Sequence, residues 1–176
     1  AQEGQTAQLA LLLGTFDALA AACPLSAHTV PGAALRCHGY PTTRCYYELV
    51  PSTAAASMPL LIDLHGADSC AASHATTSRH AELTAGEGFI VAWPQAAPQW
   101  AGDRASSASD DVEFILQVVS DLTTRLGARV DTRRLYLSGH GSGCAFAQYI
   151  IARGAPGLFA ACACASAAAT SEPLAS

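Results

Sequence analysis

An α/β domain in three layers, with a parallel β-sheet between helices, is the fold class that the sequence predicts. Two observations support it. Short, mostly apolar runs, as in strands buried on both faces, alternate along the chain with segments of helical periodicity. In addition, 51% of the 176 residues are hydrophobic and 13% are charged, which supplies one sizeable core and argues against a disordered chain.

The predicted strands are runs of aliphatic and aromatic residues at 45–50, 60–64, 89–93, 135–138 and 159–165. The predicted helices between them lie at about 73–85, 109–126 and 144–152. Ser109 is expected to cap the second helix, and Asp110 and Asp111 follow in its first turn, where the helix dipole favours negative charge. We interpret this acidic pair as helix-start charge, because adjacent side chains on a helix diverge.

Residues 23–176 are predicted to form this one domain, and residues 1–22 an amphipathic helix in front of it. Apolar side chains recur at helical spacing in that segment, at Leu9, Leu12, Leu13, Phe16 and Leu19. The segment contains Asp17, follows no Lys or Arg, and is too short to span a bilayer. The chain is therefore not expected to be transmembrane.

The charge balance excludes one class of partner. The formal net charge is −5, and the basic residues form no run. Proteins that bind nucleic acid need clustered Lys and Arg to neutralise phosphates, so no nucleic acid partner is predicted.

The seven cysteines predict disulfides rather than a metal site. No pair of C-x-x-C motifs has zinc spacing, and Cys162 and Cys164 would share one face of a strand, which suits a tetrahedral metal poorly. Cys37 and Cys45 flank a probable turn and are the leading disulfide pair, with Cys23 as an alternative partner for either. Disulfides would place the protein in a secreted, extracellular or lumenal setting. The odd count leaves one thiol over.

The histidines also predict no metal. His74 and His80 are six residues apart, so on one helix they would not share a face. No cofactor is predicted either, since the Gly-rich stretch near residue 140 lacks the Lys-Ser/Thr ending of a phosphate loop.

One turn carries most of the functional argument. Gly139-His140-Gly141-Ser142-Gly143 lies between a predicted strand and a predicted helix. The nucleophile elbow of α/β-hydrolases occupies such a place and has the pattern G-x-S-x-G. The outer glycines match at 139 and 143, but the central position, which should be serine, is Gly141.

Together the motifs resemble the secreted polyhydroxybutyrate depolymerase and feruloyl esterase group of the α/β-hydrolases. The matching segments, in chain order, are 60–66, 88–94, 110–112, 131–139 and 159–161. The resemblance implies a Ser-His-Asp mechanism and a sheet of eight strands, which this chain would follow to about the sixth. It also implies that the loop at Gly66 and Ala67 and the amide of Ser142 supply the oxyanion-binding backbone.

The departures from this pattern predict that no catalytic residue is intact. Gly141 has no hydroxyl, so no acyl-enzyme can form there. Ser142 is the outside alternative, but one residue along a helix start turns a side chain by about 100°. The acid and the base follow the nucleophile in this fold, and after Gly143 the sequence has no histidine and Glu172 as its one acidic residue.

Two further residues, His65 and Trp100, are candidates for roles at this site. His65 is expected to be a structural residue of the oxyanion loop rather than a base. Trp100, in a predicted loop, is the candidate for binding a sugar or an aromatic ester, whereas Trp93 at a strand end is expected in the core.

Three functions remain open. The first is a non-catalytic hydrolase-like domain that serves as a structural or binding subunit of an extracellular or lumenal assembly. The second is a fragment or variant of a secreted carboxylesterase acting on polyesters or esterified polysaccharides. The third is a sugar-binding module. The strand at 159–165 has neither charge nor proline to blunt an edge, so another polypeptide is expected to cover it.

Overall fold

The structure is a computed structural model that describes residues 29–38, 44–52, 56–67, 69–96, 99–100 and 108–166. Six strands of the described residues form one sheet. They are β1 (Ala34–His38), β2 (Arg44–Leu49), β3 (Met58–Leu64), β4 (Ile90–Pro94), β5 (Val130–His140) and β6 (Ala161–Ala165). The predicted N-terminal helix at 1–22 and Cys23 lie outside the described residues.

The sheet is mixed, with the strand order β1-β2-β4-β3-β5-β6. β3, β4, β5 and β6 run parallel, as predicted. β1 and β2 are antiparallel to each other, and β2 is antiparallel to β4. The sheet is thus mostly parallel, as predicted, and differs from the prediction at this edge, where two neighbouring strands pair directly and need no crossover helix.

Helices cover both faces of the sheet, which confirms the three-layer class. They are α1 (Ala71–Ser78), α2 (His80–Glu87), α3 (Ala108–Leu126) and α4 (Ser142–Tyr149), with a π-helical turn at Ile150–Gly154. On one face, Ile115 and Leu122 of α3 and Phe146 of α4 pack into the main core. On the other face, α1 packs with Ala75 among Val91 and other apolar side chains of the sheet. None of the described helices is long and apolar enough to cross a bilayer.

The predicted single helix at 73–85 is two helices. Arg79 separates α1 from α2 in a left-handed conformation, with φ of 58°. No glycine or proline marks this break. The Arg79 guanidinium pairs with Glu82 in the first turn of α2, with its Nε 3.0 Å from the carboxylate.

Two other boundaries also differ from the prediction. β3 begins at Met58 rather than at residue 60, and its register with β5 shifts between Met58 and Leu60. Pro59 lies at this irregularity, where a missing N–H costs no regular ladder bond. α3 begins at Ala108, so Ser109 lies inside the helix and is not its cap.

Asp111, predicted only as negative charge at the start of a helix, also forms an ion pair with the sheet. Its carboxylate lies 2.6 Å from Arg44 of β2, and both side chains are largely buried. The Arg44 guanidinium also lies over the Phe114 ring, 4.2 Å from its centroid. This ion pair attaches the start of α3 to the antiparallel edge of the sheet.

Candidate active site

The turn between β5 and α4 has the sharp geometry that the sequence predicts. β5 ends at His140, α4 begins at Ser142, and Gly141 between them has φ 54° and ψ −118°. The Gly141 N–H donates to the Ala165 carbonyl of β6 at 2.9 Å, and its carbonyl accepts from the Ala145 N–H at 3.1 Å. Gly141, the vertex of the turn, is therefore hydrogen-bonded both to the neighbouring strand β6 and to its own helix α4.

The outer glycines are required by close backbone approach. A Cβ at Gly139 would lie 2.5 Å from the carbonyl carbon of Gly143. A Cβ at Gly143 would fall on the carbonyl oxygens of Leu64 and His65, far inside van der Waals contact. Only glycine lets the start of α4 pack this closely against the ends of β5 and β3.

The central glycine has no such neighbour. Among the described residues, a Cβ at Gly141 would meet nothing nearer than the Cα of Gly66, at 4.0 Å. The turn therefore has space for a side chain at the nucleophile position, and what it lacks is the side-chain oxygen.

Ser142 does not offer that oxygen in its place. Its Oγ is buried and has no hydrogen-bond partner among the described residues. A nucleophile must reach the substrate carbonyl in near-attack geometry, which a hydroxyl buried from solvent does not present.

The loop after β3 reaches the elbow through Gly66. A Cβ at Gly66 would lie 3.1 Å from both Nδ1 and the carbonyl oxygen of His140, so the loop packs directly on the residue before the vertex. Ala67, the next residue, is exposed in a turn. The backbone predicted to bind an oxyanion at Gly66 and Ser142 is thus brought together around Gly141.

His65 supports this loop and is not positioned as a base. Its Nε2 accepts the Ala96 N–H at 3.0 Å, so its Nδ1 carries the proton and donates to the Gly66 carbonyl at 2.9 Å. Burial lowers the pKa of the His65 imidazole, which agrees with a neutral ring whose two nitrogens are both engaged. This placement agrees with the structural role expected for it.

Trp100, the predicted binding residue, lies in the core. Its side chain is only 5% exposed, and its indole N–H donates to the His65 carbonyl at 2.8 Å. Its ring stacks on Phe146 with centroids 5.2 Å apart. These contacts make it a support of the Gly66 loop, and the ring presents no open face to a ligand.

A buried polar cluster behind the elbow was not foreseen from the sequence. Asp63 of β3 is 2% exposed and accepts hydrogen bonds from four side chains. The donors are Ser138 at 2.6 Å, His80 at 2.9 Å, and His74 and Trp93 at 3.0 Å each. The only sequence signal was a carboxylate in the middle of an apolar strand, which must be paired when it is buried.

The electrostatics of this cluster favour charge on Asp63. Burial alone would raise the pKa of the Asp63 carboxyl, but the hydrogen bonds from His74 and His80 outweigh it and hold that pKa well below its usual range. The hydrogen bond to Asp63 also raises the pKa of His80. Although His74 and His80 converge on one carboxylate, no group of three or more His, Cys, Asp or Glu side chains suited to a metal occurs among the described residues.

Disulfide bonds link neighbouring elements at both edges of the sheet. Cys37 and Cys45 are bonded across β1 and β2, which is the leading predicted pair. A second disulfide joins Cys144 of α4 to Cys164 of β6, and Cys70 is also disulfide-bonded. Among the described cysteines, Cys162 is the free thiol.

Comparison with known families confirms the resemblance read from these motifs. The family model described as Esterase PHB depolymerase matches residues 44–175, well over half of the chain. The chain belongs to this family. A bifunctional acetylxylan esterase/xylanase from Neocallimastix patriciarum is 28% identical over 115 residues, which cover 62% of this chain and 16% of that protein.

Solved structures show the same fold. An acetyl xylan esterase from Aspergillus awamori superposes with a TM-score of 0.62 at 23% identity, over 73% of this chain and 50% of that one. A thermostable esterase gives a TM-score of 0.60 at 18% identity, over 74% of this chain and 40% of its own. This chain of the PHB depolymerase family thus spans half or less of the length of these relatives.

Proposed function

We propose that this domain is a non-catalytic member of the esterase family, whose fold serves as a structural or binding subunit of an extracellular or lumenal assembly. The glycine at the elbow vertex is the main support. Gly141 brings no oxygen to the position of the nucleophile, and the Oγ of its neighbour Ser142 is buried. Without an exposed nucleophile the covalent step of acyl transfer has no acceptor.

The disulfides support the proposed compartment. Two disulfides among the described residues join β1 to β2 and β6 to α4. Such bonds persist in oxidising environments and are rare in the cytosol, where thiols are kept reduced.

The proposed partner is a polypeptide that covers the strand edge at residues 159–165. β6 is the terminal strand of the sheet among the described residues, and Ala161, Ala163 and Ala165 are exposed there. An uncharged edge of small side chains invites strand addition, because the outer side of β6 has no neighbouring strand among the described residues. A polysaccharide or a polyester would be a second kind of ligand, in line with the names of the relatives.

A second candidate is a catalytic esterase in which other residues complete the site. The close approaches at Gly139 and Gly143 and the free space at Gly141 favour it, because the elbow keeps the shape that a nucleophile needs. By the names of the relatives, its substrates would be acetylated xylan or a polyester.

Hydrolysis of p-nitrophenyl acetate by the purified 176-residue chain separates the two candidates. We expect the wild type and Ser142→Ala to match the buffer rate. We also expect no rescue in Gly141→Ser, since no histidine follows Gly143 to take the proton. Turnover by the wild type that Ser142→Ala abolishes would overturn the proposal, and turnover gained by Gly141→Ser would favour the second candidate.

A further inference from the structure

Three cysteine sulfurs meet where β6 packs on α4. The free thiol Sγ of Cys162 lies 3.7 Å from Cys164 Sγ, which is bonded to Cys144. We propose that this cluster is a thiol–disulfide switch, in which Cys162 attacks Cys164 and the disulfide moves from Cys144–Cys164 to Cys162–Cys164. The proposal does not depend on whether the elbow is catalytic.

The exchange balances within the chain. Cys162 loses its proton, and its thiolate forms a bond to Cys164 Sγ. The Cys144–Cys164 bond breaks at the same time, and Cys144 leaves as a thiolate that takes up a proton. One disulfide and one thiol are present before and after, so no oxidant or reductant is required.

Gln148 of α4 is placed to assist the leaving group. Its side-chain Nε2 lies 3.3 Å from Cys144 Sγ and 3.4 Å from Cys164 Sγ. Negative charge develops on Cys144 as the bond breaks, and an N–H donor already beside that sulfur stabilises this charge without rearrangement.

The new bond requires the backbone of β6 to bend between Cys162 and Cys164. Cys162 and Cys164 share one side of the strand, and two strand residues span roughly 6.6 Å. Disulfides accept Cα separations up to about 6.8 Å but need Cβ atoms within about 4.5 Å, so the strand must bend to bring the two side chains together. Small residues surround them in β6, which has the sequence Ala-Cys-Ala-Cys-Ala.

The exchange would change the bonds that connect the elbow to β6. Cys144 lies on the first turn of α4, and β6 also binds the vertex through the hydrogen bond from Gly141 to Ala165. Moving the disulfide removes the covalent bond between α4 and β6 and leaves non-covalent contacts, among them the hydrogen bond from Gly141 to Ala165. The original disulfide joins Cα atoms 5.1 Å apart, within the usual range, and needs no bending of β6, so it should remain the major form.

Acid-quenched thiol mapping on the wild-type chain tests the proposal. The folded protein is equilibrated without reductant at about pH 8.5, where thiolate forms more readily, then acidified, unfolded and alkylated. Peptide mass spectrometry locates the alkylated cysteine. We expect most of the label on Cys162, a minor fraction on Cys144, and a matching fraction of peptide with an internal Cys162–Cys164 disulfide.

The control is Cys162→Ser, which removes the attacking thiol. We expect its Cys144 label to be at least about tenfold lower than in the wild type, since exchange needs the thiolate. Label confined to Cys162 in the wild type would overturn the proposal, as would equal Cys144 label in the two proteins. If the variant does not fold, the internal disulfide peptide of the wild type decides alone: its presence supports the switch and its absence refutes it.

Discussion

At the scale of single residues, the three glycines of the elbow are held by different constraints. A side chain at Gly139 or Gly143 would collide with backbone atoms, which cannot move aside as a flexible side chain can. Gly141 has a positive φ but open space around it. The turn therefore retains the two glycines that its close packing requires, and at its vertex, Gly141, it lacks the serine hydroxyl.

Gly143→Ala should destabilise the protein by about 3 kcal/mol, because a methyl group forced against the carbonyls of Leu64 and His65 must displace α4. Urea unfolding measures the change. The matched control is Gly86→Ala within α2, where no atom lies within 4 Å of the new Cβ. That variant should gain about 0.5–1 kcal/mol. Equal effects at the two positions would contradict the packing account.

Asp63→Asn should cost about 3 kcal/mol of unfolding free energy, since it removes the charge that three buried donors and the half-buried His80 share. Glu82→Gln is the control, because it breaks an exposed pair with Arg79, whose contribution to stability should be close to the error of the measurement. If the two variants lose the same small amount of unfolding free energy, the hydrogen bonds to Asp63 do not stabilise the fold.

At the scale of elements, the break between α1 and α2 explains how two histidines reach one carboxylate. On a continuous helix His74 and His80 would point in different directions, but the left-handed residue Arg79 redirects α2. The sequence could not show this, because Arg79 is not a residue type that marks a break.

The strands were predictable, since their apolar runs reflect burial on both faces. The partners of Asp63 were not, because they come from separate segments.

The His80–Asp63 pair should make stability depend on pH. The pKa of His80 is raised in the folded state, so its contribution is complete below the unfolded value of about 6.5 and is lost as the pH rises through the folded pKa. The pKa of Asp63 is lowered, so its contribution is lost on acidification below about pH 4. The difference in unfolding free energy between the wild type and His80→Gln should therefore shrink between pH 6 and pH 8. A constant difference would refute the pairing.

At the scale of the whole molecule, the chain is a three-layer domain of the PHB depolymerase family whose described sheet ends at β6. The family could be predicted from motif order, because each motif reflects a fixed structural need, such as the glycines of the elbow. The antiparallel edge of β1 and β2 could not, since a strand's sequence pattern does not reveal its direction. The burial of Trp100 depends on Phe146, which is distant in sequence.

The exposed edge of β6 leads to a prediction for the purified chain. Because its uncharged strand should pair with further polypeptide, native mass spectrometry and light scattering are expected to show self-association or a bound partner. An edge variant with Ala163→Lys should reduce that association, since charge on an edge strand opposes pairing. A stable monomer that is indistinguishable from the variant would contradict the proposed partner.

The central claim is that this hydrolase fold has no reactive serine at its elbow, and covalent labelling tests it most directly. The purified chain is incubated with a fluorophosphonate, which modifies activated serines in esterases, and its intact mass is measured. Because Gly141 has no side-chain oxygen and the Oγ of Ser142 is buried, the account predicts an unchanged mass. A stoichiometric adduct that maps to Ser142 and disappears in Ser142→Ala would contradict it.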